Sequence, residues 1–199
     1  MKYFNSLPKV VYTDKNNIKT VYTNLMARAS ITPTILNNLL VYYEYDIQDE
    51  DTPEIIAHKY YGDINRFWIV LYCNQLLDPQ WDWPLSSNKF QKYVTNKYTN
   101  TLNSVHHYEK IITKTTKTLI TNTTTVDTEI ISQSEYNLLP PESNDTYTLG
   151  VETISINTVK KVITNYEYEV TQNEAKRKIK ILNKEYSSKL EKEFMDLMA

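Results

Sequence analysis

The spacing of apolar and polar residues predicts four successive segments with different structures. The first, residues 1–40, begins with the extended stretch "PKVVYT", continues through the polar turn "DKNN" and offers few positions for a core. Near its end, "PTILNNLL" has isoleucine and leucine at helical spacing, and its proline suits the first turn of a helix. We expect this segment to be an N-terminal docking arm that needs another surface to cover its apolar side chains.

The second segment, residues 41–98, is predicted to contain a strand followed by two helices. Residues 41–47, "VYYEYDI", have the aromatic and β-branched content of a strand, and the acidic turn "QDED" follows. Thr52 suits the N-cap of the next helix, and Pro53 suits its first position, where a missing N–H costs no hydrogen bond. Gly62 stands where a residue in the left-handed conformation would end that helix.

The second helix of this segment is predicted to be buried on most sides. Asp63 can cap it, and apolar residues then recur at i, i+3, i+4 and i+7, namely Ile64, Phe67, Trp68 and Leu71. Trp68 is therefore expected in the core. The following loop, "DPQWDWP", places Trp81 and Trp83 two residues apart, so an extended chain would turn both indoles toward one side. We expect that side to meet either the rest of the segment or a partner.

The third segment, residues 99–170, is predicted to be a threonine-rich β-hairpin region. Its first half, "HYEKIITKTTKTLITNTTTVDTEIIS", alternates β-branched and polar residues as strands do, with the hairpin tip expected near residues 121–125. The stretch "YNLLPPESND" is predicted to be a loop, and "VETISINTVKKVITNYEYEV" to be a second pair of strands. Because these strands have few large apolar residues on either face, we expect them to project as an arm.

The fourth segment, residues 171–199, is predicted to be one long amphipathic helix. Its apolar stripe recurs at steps of three and four and comprises Ala175, Ile179, Leu182, Tyr186, Leu190, Phe194 and Leu197. A helix of about 27 residues would be about 40 Å long, more than a small domain needs. We therefore expect the stripe to pack against another helix, in this chain or in another. The candidate partner contacts are Trp81, Trp83, Tyr186, Leu190, Phe194 and Leu197.

Composition favours a protein that makes contacts over one that catalyses a reaction. The chain has 2 glycines and 17 tyrosines among 199 residues. Glycine serves sites where backbone approaches a ligand, whereas tyrosine is enriched at protein interfaces. A formal net charge of -2 does not indicate binding to nucleic acid or to an anionic membrane. A single cysteine cannot form an internal disulfide, which predicts folding in a reducing compartment. The sequence shows no apolar signal or membrane segment, so we expect neither export nor anchoring.

No combination of residues matches a catalytic or metal-binding pattern. The histidines, His58, His106 and His107, lack the spacing of a zinc site, because adjacent residues on a strand point to opposite faces. Cys73 has no basic partner nearby and is expected to be a small core residue. The acidic turn at residues 46–51 lacks the glycine that a calcium-binding EF-hand loop requires. We therefore expect no enzymatic activity, no metal and no cofactor.

Residues 45–74, "YDIQDEDTPEIIAHKYYGDINRFWIVLYCN", resemble a LysM module. More specifically, residues 52–86 resemble the LysM-like baseplate wedge protein family of contractile-tailed bacteriophages. The residues that match the family pattern are Ile55, Ile56, Ala57, Tyr61, Gly62, Trp68, Asn74, Asp78, Pro79 and Trp83. Together with the four segments, the resemblance implies an α+β fold. Its parts are a small LysM-like strand-helix-helix module, an extended N-terminal arm, a β-hairpin region and a long C-terminal amphipathic helix.

The resemblance implies that the protein has a structural role in a virion. Members of this family clamp adjacent wedges together around the central hub of the tail baseplate, in multiple copies arranged as a symmetric ring. The implied partners are other wedge subunits and neighbouring wedges, with hub and sheath-initiator proteins as further candidates. Assembly would take place in the host cytoplasm. The alternative function is that of a peptidoglycan-binding LysM protein associated with a lytic activity of the tail.

Overall fold

The computed structural model of the chain describes residues 3–27, 29, 38 and 40–198. The chain divides into a terminal unit, Met1–Lys89 with Asn173–Ala199, and a middle unit, Phe90–Gln172. Both helices and strands are present, in agreement with the predicted α+β class. The predicted helix at residues 33–40 falls mainly outside the described residues.

The terminal unit begins with an antiparallel hairpin that has no buried residue in either strand. Strand β1 is Lys9–Thr13 and strand β2 is Lys19–Thr23. At the turn between them, the Asp14 carboxylate accepts hydrogen bonds from the backbone N–H groups of Asn16 and Ile18, both at 2.8 Å. An aspartate side chain that accepts hydrogen bonds from backbone N–H groups a few residues later stabilises a turn. The extended stretch and polar turn predicted from the sequence are therefore confirmed.

The first strand and helix of the second segment follow the predicted punctuation. Strand β3 is Tyr42–Asp46 and helix α1 is Pro53–Tyr61. The Thr52 hydroxyl accepts a hydrogen bond from Ile55 N at 3.3 Å, which caps the helix. Gly62 ends the helix with a φ of 75°, a conformation that is much less costly for glycine than for other residues. The predicted strand, cap and glycine stop are confirmed.

The second helix is buried as predicted, but it begins later than predicted, because Ile64 lies in the turn before it and is 54% exposed. A 3-10 turn at Ile64–Arg66 leads into helix α2, Phe67–Cys73. The Asp63 carboxylate caps that turn by accepting a hydrogen bond from Asn65 N at 2.9 Å. The buried residues of α2 are Trp68, Ile69, Val70 and Cys73. Further along the chain come helix α3, Pro79–Asp82, and helix α4, Ser87–Tyr98.

The middle unit contains a four-stranded antiparallel sheet in the order β5-β4-β7-β6. Its strands are β4, Val105–Lys117; β5, Asn122–Ile131; β6, Glu142–Leu149; and β7, Glu152–Thr164. Helix α5, Gln133–Leu138, connects β5 to β6. The tip of the first hairpin lies at residues 118–121, where Thr118 N donates to the Thr121 carbonyl at 2.8 Å. The tip predicted at residues 121–125 was therefore placed slightly too late.

Two other predictions for the third segment are wrong. The stretch "YNLLPPESND" is not one loop, since it contains the end of α5 and the start of β6. The stretch "VETISINTVKKVITNYEYEV" is not a pair of strands, since it contains the single strand β7 and its end, "NYEYEV", begins helix α6, Asn165–Ala175. A capping box explains this helix: Glu167 N donates to Thr164 Oγ1 at 3.2 Å, and Thr164 N donates to a Glu167 carboxylate oxygen at 2.9 Å. That threonine-glutamate spacing is visible in the sequence.

The prediction of one long helix over residues 171–199 is also wrong, because a strand interrupts it. After α6 come strand β8, Lys178–Leu182, and helix α7, Lys184–Met198. Ile179 and Ile181 are buried while the lysines beside them are more accessible, which is the two-residue period of a strand. β8 pairs antiparallel with β3 along its whole length. This pairing and burial outweigh the helical spacing of the apolar residues.

The core of the terminal unit is formed by β3, β8, α1, α2 and α7. Its fully buried members include Ile56 of α1, Ile69 of α2 and Ile181 of β8. Leu7, which precedes β1, is also buried in this core. Across the described residues, every helix is too short or too polar to span a lipid bilayer.

Candidate interaction surfaces

Helix α7 turns a different face toward the core than the sequence predicts. Phe194, 2% exposed, packs against Trp68 with 5.0 Å between ring centroids. Leu190 is half-buried against the same core. Tyr186 and Leu197 are 42% and 72% exposed. Of the four predicted contacts on this helix, Tyr186 and Leu197 are the ones most available to a partner, whereas Phe194 is covered within the chain.

The orientation of α7 follows from an ion pair on its inward face. Glu191 accepts hydrogen bonds from Arg66 at 3.0 Å (Nη2 to Oε2) and 3.1 Å (Nε to Oε1). Ser187, one turn earlier, accepts a hydrogen bond from Arg66 Nη1 at 3.3 Å. A two-pronged contact of this kind fixes both the position and the direction of the guanidinium. The apolar pattern could not identify this face, because Ser187 and Glu191 are polar residues that are nevertheless buried.

The two tryptophans after α2 lie in different environments. The extended conformation that would turn both to one side does not occur, because Asp78 caps α3 by accepting a hydrogen bond from Gln80 N at 3.0 Å. Trp83 is 8% exposed, and its indole N–H donates to the Asp51 carbonyl at 2.9 Å. Trp81 is 61% exposed. Of the two, Trp81 is thus the candidate for contact with a partner.

A cavity of about 680 Å³ opens in the terminal unit beside Trp83. Its apolar lining comes from Pro53, Phe67, Leu71, Pro79, Trp83, Pro84 and Leu85. Its charged lining residues are Asp49, Glu50, Asp51, Glu54, Lys89 and Arg177. Because carboxylates outnumber cations in this lining, we call it the acidic cavity.

Asp51 is a structural anion at the edge of the acidic cavity. Its carboxylate accepts hydrogen bonds from Lys59 Nζ at 2.6 Å, the Tyr45 hydroxyl at 2.7 Å and Gln48 N at 3.1 Å. Burial alone would raise the pKa of Asp51, but these hydrogen bonds outweigh it and hold the pKa below its usual value. Burial and the same contact raise the pKa of Tyr45 to about 12. Asp51 therefore anchors the turn between β3 and α1.

The N-terminal hairpin, β1 with β2 and their turn, exposes apolar side chains on both faces. Those between 50% and 60% exposed are Val10, Val11, Tyr12, Ile18, Val21 and Tyr22. The lysines of the hairpin, Lys9, Lys15 and Lys19, outnumber its single carboxylate, Asp14. Because a two-stranded hairpin alone is marginally stable in water, this element is suited to docking on another surface.

A second, apolar cleft of about 360 Å³ runs along α2. Its lining includes Tyr3, Phe4, Trp68, Leu71, Tyr72 and Leu76. The indole N–H of Trp68 is buried and has no hydrogen-bond partner among the described residues. The sequence predicted that Trp68 lies in the core, but it gave no sign that the indole N–H would lack a partner among the described residues.

The histidines contact each other in a way that the sequence did not predict. Adjacent residues on a regular strand face opposite sides, but a bulge in β4 brings Nδ1 of His106 within 2.8 Å of Nδ1 of His107. His106 stacks on Tyr168 with centroids 4.0 Å apart, and His107 Nε2 lies 3.0 Å from a Glu109 carboxylate oxygen. His58 is exposed on α1. Within the described ranges, no group of three His, Cys, Asp or Glu side chains could hold a metal ion.

Cys73 is a core residue, as predicted. It is 4% exposed, and burial raises the pKa of its thiol to about 12. The thiolate that a nucleophile needs is therefore scarce at neutral pH.

Comparison with known proteins identifies a related family. The model of the phage family described as Base plate wedge protein 53 matches residues 7–197. The match includes the N-terminal hairpin, the acidic cavity, the sheet of the middle unit and nearly all of α7. A comparison with curated proteins gave no match.

Proposed function

The chain belongs to the phage family Base plate wedge protein 53, and we propose that it clamps adjacent wedges together around the central hub of a contractile tail. As a member of this family it is a structural protein of the virion, located in the tail baseplate, and it interacts with other baseplate proteins. The surfaces of the terminal unit support the clamping role.

The exposed N-terminal hairpin is the observation that carries this proposal. It has no buried residue in either strand, although Val11 and Tyr12 of β1 and Val21 and Tyr22 of β2 are large and apolar. Exposed apolar patches of this kind mark sites of association. We propose that residues 1–40 form an arm that docks on a neighbouring subunit while the folded core stays on its own wedge.

The exposed members of the predicted contact set supply the second half of the clamp. Trp81, Tyr186 and Leu197 remain available to partners, and aromatic residues are frequent anchors of interfaces. Trp83 and Phe194 are buried and contribute indirectly, because they stabilise the core that positions the exposed residues. Leu190, half-buried, is proposed to contribute at the margin of such an interface.

The strand-helix-helix order of β3, α1 and α2 supports a LysM-like character for this part of the chain. We propose that the module serves as a platform for proteins, including other wedge subunits and the hub and sheath-initiator proteins. Several moderate contacts in a closed ring reinforce one another through effective concentration, so no single interface needs to be strong. Assembly of the ring is proposed to occur in the host cytoplasm.

Imaging of tails built without this protein tests the clamp. A phage unable to make the chain should accumulate wedges that do not close into a baseplate, and supply of the wild-type chain should restore tails. A variant with Val11→Asp and Val21→Asp should fail to restore them, whereas Thr20→Ser in the same hairpin should succeed. Intact tails without the chain would overturn the proposal.

Binding of peptidoglycan is the second candidate function, and the acidic cavity is the observation that favours it. A volume of about 680 Å³ lies in the range of small-molecule sites. Trp81, exposed on the neighbouring helix α3, offers an indole face for stacking on a sugar ring. Saturable sedimentation of the purified chain with peptidoglycan, reduced by Trp81→Ala, would support this function. Absence of sedimentation would exclude it.

A further inference from the structure

We propose that the tip of the N-terminal hairpin of one copy enters the acidic cavity of a second copy of the same chain. The inference rests on the proposed function, which places copies side by side in a ring, and it names the surface on which the hairpin docks. The hairpin and the cavity both belong to the terminal unit, so one copy offers both halves of the contact.

The hairpin tip presents one apolar side chain between two cations. Ile18 is 60% exposed and lies between Lys15 and Lys19 in the sequence. The single carboxylate of the tip, Asp14, is engaged by the backbone N–H groups of Asn16 and Ile18 and shapes the turn. Within the described residues, neither Lys15 nor Lys19 forms an ion pair. The tip is therefore a preformed basic projection with an apolar centre.

The acidic cavity offers the complementary chemistry. Phe67, Leu71 and Trp83 supply apolar surface for an aliphatic side chain. Glu50 and Glu54 stand exposed in the lining, and in the part of the chain that the structure describes neither has a cationic partner. A lysine on each side of an inserted isoleucine can thus meet a carboxylate.

The other charges of the cavity do not cancel this attraction. Asp51 is neutralised by Lys59 at 2.6 Å, and Arg177 by Glu174 at 2.8 Å. Asp49 accepts a hydrogen bond from Ser87 N and keeps a full negative charge, because that bond lowers the pKa of Asp49. The charge of Arg177 also helps to lower the pKa of Asp49, so the two exposed carboxylates Glu50 and Glu54 still outnumber Lys89 in the lining.

The walls of the cavity are held in place by hydrogen bonds that reach across the chain. Trp83 Nε1 donates to the Asp51 carbonyl at 2.9 Å. Leu85 N donates to Asn173 Oδ1 at 2.7 Å, and Asn173 Nδ2 returns a hydrogen bond to the Leu85 carbonyl at 3.1 Å. A cavity braced in this way needs little rearrangement to accept a guest, which lowers the cost of binding.

The contact joins two different surfaces, and in the ring of copies that the proposed function requires it runs head-to-tail. A heterologous contact leaves one free hairpin and one free cavity on every pair of copies, so it continues until the chain of copies closes into a ring. A mutual dimer, in which each copy inserts its hairpin tip into the cavity of the other, would leave neither surface free. The two arrangements are distinguished by whether association stops at two copies.

Charge reversal on the purified full-length chain tests the inference. Wild type should form oligomers whose size grows with concentration in sedimentation velocity. Lys15→Glu with Lys19→Glu, or Glu50→Lys with Glu54→Lys, should weaken association by about tenfold or more, and the effect should shrink as salt is raised. Ile18→Ser, which changes no charge, should weaken association as well. Lys184→Glu with Lys192→Glu on α7 makes the same change in net charge as the Lys15 and Lys19 reversal, but away from the contact, and should leave association unchanged.

Combining the two charge reversals in one chain gives the decisive measurement of association. A chain that carries all four substitutions should associate again, because glutamates on its tip meet lysines in the cavity. A wild-type chain that stays monomeric up to ~1 mM, or a fourfold variant that does not recover, overturns the inference.

The same variants separate this inference from the clamp itself. If the tip reversal blocks tail assembly in phage and the cavity reversal does not rescue it, the hairpin docks on another subunit. In that case the self-contact is wrong while the wedge-joining role stands.

Discussion

Arg66 and Glu191 form a two-pronged ion pair that holds helix α7 against the turn that precedes α2, with N–O distances of 3.0 and 3.1 Å. Both side chains are mostly buried. The pair orients the C-terminal helix so that Phe194 faces the core and Leu197 faces outward. A contact between distant parts of the sequence thus determines which apolar residues of α7 remain for partners.

Removal of Arg66 should destabilise the chain strongly. Arg66→Ala leaves the carboxylate of Glu191 without this partner in a buried setting, which typically costs about 3 kcal/mol or more in unfolding free energy. Urea unfolding monitored by tryptophan fluorescence measures the change. Lys189→Ala removes an exposed pair at 4.0 Å and should have little effect. Equal stability of the two variants would show that the Arg66 contact does not fix α7.

The sequence predicted most of the terminal-unit features whose physical cause lies within a few residues, although the local capping box of α6, Thr164 with Glu167, was missed. Thr52, Pro53 and Gly62 act through caps and backbone conformation that neighbouring residues determine, so α1 could be placed closely. Strand β8 could not, because its strand state depends on pairing with β3, which lies far away in the sequence. The helical spacing of Ile179 and Leu182 was a competing pattern that only tertiary structure could reject.

The candidate contacts show the same division. An apolar position in an amphipathic stripe indicates that something covers it, but not whether the cover belongs to the same chain. Phe194 is covered by Trp68, whereas Leu197 is not covered by any described part of this chain to the same degree. The acidic cavity was not predicted at all, because its lining brings together residues from segments that are far apart in sequence.

The two core tryptophans should respond differently to replacement by phenylalanine. Both Trp68→Phe and Trp83→Phe reduce side-chain volume equally, but among the residues that the structure describes only the Trp83 indole finds a hydrogen-bond acceptor, the Asp51 carbonyl. Trp83→Phe should therefore cost about 1 kcal/mol more in unfolding free energy than Trp68→Phe. Trp68→Ala should cost about 3–5 kcal/mol through the cavity that it leaves. Chemical denaturation of the three variants gives these values; a larger loss for Trp68→Phe would contradict the assignment.

The contribution of Asp51 to stability should depend on pH. Its pKa is lowered in the folded chain, so the stabilisation is fully present above the unfolded value of about 3.9 and is lost as pH falls through the folded value. Asp51→Asn should therefore destabilise the chain by about 1.5–3 kcal/mol near neutral pH, with the difference from wild type shrinking in acid. Urea unfolding at several pH values measures this.

A matched variant isolates the hydrogen bond from the charge. Tyr45→Phe removes one donor to Asp51 but keeps the carboxylate and Lys59, so its pH dependence should change less than that of Asp51→Asn. A difference between Asp51→Asn and wild type that stays constant from neutral to acidic pH would show that Asp51 is not stabilised as an anion.

Cys73 should be inert toward thiol reagents in the folded chain. Burial raises the pKa of the thiol to about 12, and the side chain is 4% exposed, so both the thiolate and access to it are scarce. Labelling by an aromatic disulfide reagent at mildly alkaline pH should be slow in buffer and fast in denaturant. Rapid labelling of the native chain would place Cys73 at an accessible surface.

Substitutions of Leu197 and Phe194, three residues apart on α7, should have different effects: one should impair tail assembly, and the other should lower the stability of the chain. Leu197→Gln changes a side chain that is 72% exposed, so the unfolding free energy should stay within about 0.5 kcal/mol of wild type, while complementation of a phage lacking the chain should yield fewer intact tails. Phe194→Ala, in contrast, removes a buried ring and should cost about 3–5 kcal/mol. Lys192→Gln, also exposed on α7, is the control and should preserve both properties. If Leu197→Gln restored tails as well as wild type does, then this end of α7 would not be a contact, and the clamp would depend on the N-terminal hairpin, Trp81 and Tyr186.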